Sequence, residues 1–123
     1  MTDRLYTDFA DWLDRYLEEG LPEDTAAVNF NIYEETDFHW SVQLIAAGSF
    51  DPQDDQWACE EIFSTGEDLF AWRQEAQWEE ILEAAKALAG RYLAEGKHAA
   101  ALKDCSAVTV GFVDGDLEML YIK

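Results

Sequence analysis

The apolar residues of this chain switch repeatedly between two periods, and that switching limits the folds open to it more than any other feature. Leu5, Tyr6, Phe9, Trp12, Leu13, Tyr16 and Leu17 recur at three- and four-residue spacing, which marks one face of an α-helix. Thr2 suits the N-cap, Asp3 suits the positive end of the helix dipole, and Gly20 followed by Pro22 ends the segment. From Ala27 the period falls to two. Val28, Phe30 and Ile32 alternate with Asn29, Asn31 and Tyr33, as in a strand with one buried face. A turn over Glu34, Glu35 and Asp37 leads into a second strand from Phe38, with Phe38, Trp40, Val42 and Leu44 on one face and His39, Ser41 and Gln43 on the other.

Residues 48–56, with Pro52 and the pair Asp54 and Asp55, have loop chemistry, and residues 57–63 are expected as a third strand. Ser64 with Glu67 matches a capping box and predicts a helical start. Trp78, Ile81, Leu82, Ala85, Leu88, Ala89, Tyr92 and Leu93 form one continuous helical stripe, stopped at Gly96, with a short helix over residues 97–103. Leu69, Phe70 and Trp72 are out of phase with that stripe, so a short helical turn and a break near residues 73–75 are expected before it. Residues 107–113 and 116–122 read as a closing hairpin, with Asp114 and Gly115 in a type I′ turn. The expected fold is a single α+β domain over residues 1–123. Its antiparallel sheet of about five strands carries the N-terminal helix and the long central helix on one face.

Charge narrows the function. The 123 residues include 27 acidic and 8 basic side chains, a formal net charge of -19, and no Lys or Arg occurs between Arg15 and Arg73. Such a field repels nucleic acid and anionic membranes and attracts cationic proteins in a salt-sensitive way. No apolar run reaches the roughly 18 residues of a membrane span, and the N-terminus is not that of a signal peptide, so a cytoplasmic location is expected. Cys59 and Cys105 lack metal-type or redox-type spacing and read as buried free thiols.

Nothing matches a phosphate-binding glycine loop, a nucleophile elbow or a paired-histidine zinc helix, so neither catalysis nor a cofactor nor a metal is expected. Only His39 and His98 are of the residue type that can act as a base at neutral pH, and a Ser-His-Asp grouping through Ser41 or Ser49 would have to be made by the fold. Carboxylates cluster instead: Glu34, Glu35 and Asp37 in one turn, Asp51, Asp54 and Asp55 in one loop, Glu60 and Glu61 just after it. With Trp57 as an apolar anchor, these are the candidate partner-binding residues. Trp12, Trp40 and Trp78 read as core by phase, while Trp57 and Trp72 are the tryptophans free to anchor an interface. A polar sheet face of Asn29, Asn31, Tyr33, Ser41, Gln43 and Thr109 is a second candidate surface.

The segments Trp57, Ala58, Cys59, Glu60, Glu61, Ile62, Phe63 and Gly111, Phe112, Val113, Asp114, Gly115, Asp116, together with small size, extreme acidity and the helix-strand-helix-strand order, resemble the small immunity proteins with which bacteria neutralise toxins. The resemblance implies a cytoplasmic inhibitor that plugs the active site of a cationic toxin, often a nuclease, with carboxylates standing in for phosphates. The alternatives are an adaptor or homodimer built on an exposed aromatic patch, a DNA mimic using the row Asp11, Asp14 and Glu18, and a small hydrolase using His39 with a nearby carboxylate.

Overall fold

The period-two segments become strands and the two long helical stripes become helices. In the computed structural model, which describes residues 3–123, the order is α1 (Asp3–Glu18), β1 (Ala27–Glu34), β2 (His39–Ala47), a 3₁₀ turn (Asp55–Cys59), β3 (Glu61–Ser64), β4 (Phe70–Arg73), α2 (Trp78–Glu95), α3 (Ala99–Lys103), β5 (Ala107–Phe112) and β6 (Glu118–Ile122). The Thr2 cap lies outside the described residues. No helix among them is long and apolar enough to cross a membrane.

The sheet has six strands and is mixed. Its order is β3-β2-β1-β5-β6, and β4 lies beside β2. The expected β1–β2 hairpin forms, with Ala27 opposite Ala47 and Glu34 opposite Trp40. β5, however, runs parallel to β1, pairing Ala27 with Ala107 and Ile32 with Phe112. This departs from an all-antiparallel sheet of about five strands, and β4 is the cause. The chain leaves β4 antiparallel to β2, returns through α2, and must then enter β5 in the direction of β1, because a helical crossover joins parallel strands.

Three local expectations give way for identifiable reasons. Residues 57–63 do not form one strand: Asp54 caps a 3₁₀ turn by accepting from Gln56 N–H, and β3 starts only at Glu61. Ser64 caps no helix. Its hydroxyl accepts from Gly66 N–H in a turn where Gly66 has φ 62°, and Phe70 and Trp72 point inward with Ala71 and Arg73 outward, the alternation of a strand. The type I′ geometry, with positive φ at both central residues, is found in the other hairpin. Asp37 and Phe38 hold φ 54° and 58° while His39 N–H bonds to Thr36 C=O, and Asp114 and Gly115 stay on the ordinary side of the map. Phe38 is therefore an exposed turn residue preceding β2 and does not belong to its apolar face.

α1 and α2 share one face of the sheet. Phe9, Trp12 and Leu13 of α1 and Ile81, Leu88 and Tyr92 of α2 pack on Phe30, Ile32, Trp40, Leu44 and Val110 in the main core. Arg91 of α2 lies over the Tyr6 ring at 4.1 Å, which joins the two helices near the surface. The opposite face is covered in part by the loop after β2. There Trp57 closes a smaller cluster over Ala27, Ile45, Ala47 and Ala107, with Phe50 edge-on to it at 5.3 Å.

Candidate acidic binding surface

The loop over residues 48–60 is built by its own carboxylates. Asp51 accepts from Gln53 N–H at 2.9 Å and Asp54 from Gln56 N–H at 3.0 Å, the short-range bonds that favour Asp in turns. Asp55 reaches away from the loop and accepts from Leu117 N–H at 3.2 Å, tying it to the β5–β6 turn. Glu60 accepts from the Ser49 hydroxyl at 3.3 Å. These bonds satisfy single oxygens and bring no positive charge.

Of the candidate carboxylates, only Asp37 has an ion pair among the described residues, with Arg73 at 3.7 Å. Glu35 accepts from Ser41 at 3.2 Å. Glu34, Asp51, Asp54, Asp55, Glu60 and Glu61 face no base among the described residues, and neither do Asp114 and Asp116. The structure brings part of this set together through Asp114. On one side Asp114 shares a cavity of about 350 Å³ with Asp55, Asn29, Asn31 and Cys59, and on the other it lines a hollow with Glu34 and Trp78. Gly111 permits this approach, since a Cβ there would sit 2.6 Å from the Asp116 carbonyl oxygen. Glu35 and Asp37 stand apart, turned toward Ser41 and Arg73.

The polar sheet face is a connected network. Thr109 donates to Asn29 Oδ1 at 2.9 Å, Asn29 to Asn31 Oδ1 at 2.7 Å, and Tyr33 to Gln43 Oε1 at 3.1 Å, while Gln43 Nε2 donates to Gly66 C=O at 3.0 Å. Asn29 and Thr109 are buried at one end, Asn31, Tyr33 and Gln43 are half-buried, and Ser41, opposite Tyr33, is buried again. Burial, and after it the charge of Glu61, pushes the Tyr33 phenol above its ordinary value and keeps it a donor.

The tryptophan assignments exchange places. Trp57 and Trp72 are buried, at 5% and 8% exposure, whereas Trp78 is 53% exposed. Trp78 has the right phase but is the first residue of α2, where no preceding turn shields it, and its ring stands against Phe112 at the end of β5. Asp114 and Asp116 belong to the surface although composition marks them only as turn residues. The one signal of this in the sequence is the absence of any base within several residues of either.

Several of the other groups singled out from the sequence are held by hydrogen bonds, while His98 Nε2 has no hydrogen-bond partner among the described residues. In the row Asp11, Asp14 and Glu18, Asp14 accepts from the Tyr92 hydroxyl at 2.5 Å and Glu18 from Lys97 at 3.0 Å, so the row does not present three open charges. Ser41 and Ser49 donate to Glu35 and Glu60, His39 Nδ1 contacts the Thr36 carbonyl oxygen at 3.0 Å, and His98 Nε2 is 3.8 Å from Glu18. Among the described residues no His, Cys, Asp or Glu group is arranged to hold a metal. Cys105 is buried as expected, with burial raising its thiol pKa, but Cys59 is exposed at the cavity mouth. Compared with protein-family models, with curated proteins and with solved structures, the chain matches none.

Proposed function

We propose that this chain is a protein-binding inhibitor of the immunity type, acting in the cytoplasm, which neutralises a cationic toxin or nuclease by holding it against the acidic surface. The observation that carries this reading is the absence, among the described residues, of any ion pair on Asp51, Asp54, Asp55, Glu60, Glu61, Asp114 and Asp116. Carboxylates left without bases repel one another and lower the stability of the free chain, and a basic partner removes that cost on binding. At long range they speed encounter, while the polar network and apolar contacts supply the fit at short range. On this reading they stand in for the phosphates that a nuclease binds.

A homodimer is the second reading, and β6 favours it. This edge strand pairs only with β5 among the described residues, and Met119 and Ile122 on it are 45% and 56% exposed. Capture from lysate at low and high salt separates the two. Retention of a basic protein that weakens with salt, and its loss on reversing Asp54, Asp55, Glu60 and Glu61 to Lys, is expected of the inhibitor. Undiminished retention by that variant overturns the reading, and a mass that grows with concentration in light scattering supports the dimer.

A further inference from the structure

Where β5 ends, the surface opens into a groove whose floor is apolar and whose rim is acidic. Two adjoining hollows of about 270 and 380 Å³ share Trp78, Phe112 and Gly115, and Leu82 extends the floor along α2. The Trp78 ring stands edge-on to Phe112, with centroids 6.2 Å apart and planes at 82°, so one side of the indole is backed by the protein while 53% of the residue meets water. Glu34, Asp114 and Asp116 line the groove, and none has an ion pair among the described residues. The base beside it, Lys86, is already held by Glu118 at 2.8 Å and Glu83 at 3.5 Å.

An apolar floor alone would accept an aliphatic side chain, and an acidic rim alone would accept any cation. An exposed indole beside unpaired carboxylates selects a flat cation with weak hydration. A guanidinium stacks on the indole and presents its donor fork to a carboxylate, whereas an ammonium is compact and strongly hydrated. We propose that the Trp78 groove is the seat of an arginine side chain from the basic protein partner. This rests on the inhibitor reading and adds to it the anchoring residue and the place where it docks.

The test titrates the full chain with a hexa-arginine peptide and follows the indole N–H signals by NMR, with hexa-lysine as the comparison. The Trp78 signal is expected to move, those of the buried Trp12, Trp40, Trp57 and Trp72 to stay, and hexa-lysine to bind several-fold more weakly. Trp78→Leu is expected to weaken hexa-arginine binding about tenfold. The double change Asp114→Asn with Asp116→Asn keeps the indole and is expected to weaken it also. A stationary Trp78 signal, or unchanged affinity in a Trp78→Leu protein of native circular dichroism, overturns the proposal. If the loop reversal at Asp54, Asp55, Glu60 and Glu61 abolishes peptide binding while Trp78→Leu leaves it intact, the groove falls and the acidic-surface reading stands. If the peptide binds at Trp78 while lysate capture yields no basic protein, the groove stands and the inhibitor reading falls.

Discussion

The sheet is covered fully on one face and in part on the other, and the two coverings are built on opposite plans. On one side α1 and α2 bury a continuous core, and the bases there are paired, Arg91 with Glu95 at 2.7 Å and with Asp3 at 3.1 Å, Lys97 with Glu18 at 3.0 Å, although Asp11, Glu79 and Glu80 have no ion pair among the described residues. On the other side a loop and one 3₁₀ turn lay Trp57 and Phe50 over a few small residues, and the carboxylates outside them face no base among the described residues. Eight basic side chains among 27 acidic ones cannot balance both sides, and those that pair serve mainly the helical layer. The thick covering holds the fold; under the proposed reading, the unpaired carboxylates of the thin one, together with the Trp78 groove at the start of α2, face the partner.

If that division is correct, truncating a buried aromatic side chain to Ala on the two sides should give different outcomes. Phe30→Ala removes a side chain that is 1% exposed in the main core and is expected to destabilise by about 3–5 kcal/mol. Trp57→Ala should cost less, about 2–3 kcal/mol, since the loop can settle onto the space it leaves. Its effect on hydrogen exchange should be confined to residues 48–60 and the strand ends beneath them. Denaturant unfolding with exchange on both variants decides this, and a global loss from Trp57→Ala equal to that from Phe30→Ala would erase the contrast.

Alkaline titration gives a second separation. Burial, then the hydrogen bond to Asp68, pushes the Tyr16 phenol up to about 12, and burial with the bond to Asp14 raises Tyr92 as well. A folded phenol that keeps its proton above pH 10 contributes stability that is whole below the unfolded pKa near 10 and is lost as pH climbs through the folded value. The urea midpoint should therefore fall between pH 10 and about 12, and Tyr16→Phe should flatten the fall. Tyr33→Phe on the other face should flatten it less, because that hydroxyl meets the Gln43 amide oxygen rather than a carboxylate.

The helical layer is also the more legible of the two. Seven apolar residues at helical spacing in α1 and eight in α2 repeat one instruction, and local noise does not overturn it. β4 is four residues long, and Phe70 and Trp72 supply only two inward positions, too few to establish a period against the Ser64–Glu67 capping signal. Without β4 the direction of β5 cannot be deduced either. The two hairpin turns show the same limit in reverse. Asp114-Gly115 has the composition of a type I′ turn without its geometry, and Asp37-Phe38 has the geometry without the composition, because pairing of β1 with β2 from Ala27 to Glu34 imposes it. At the candidate surface, the carboxylates other than Asp114 and Asp116 can be named from sequence, but their lack of partners cannot. Pairing depends on where α1, α2 and β4 carry their bases, which only the assembled fold decides.

The smallest expected effect is the most direct test of the division, because it predicts a change of sign. Glu61 lies exposed on β3, has no ion pair among the described residues, and adds negative charge beside Tyr33. Glu61→Lys should therefore relieve repulsion and raise the melting temperature by roughly 2 °C at low salt, as expected for a surface change worth about half a kcal/mol. Arg91→Glu on the helical side should lower it, since it sets a third carboxylate between Glu95 and Asp3 and removes the cation from Tyr6. High salt should shrink both shifts, because exposed charges are screened within about 10 Å. A fall in melting temperature for Glu61→Lys would mean that the carboxylates of the thin covering already have stabilising neighbours, and a cationic partner would then have no repulsion to relieve.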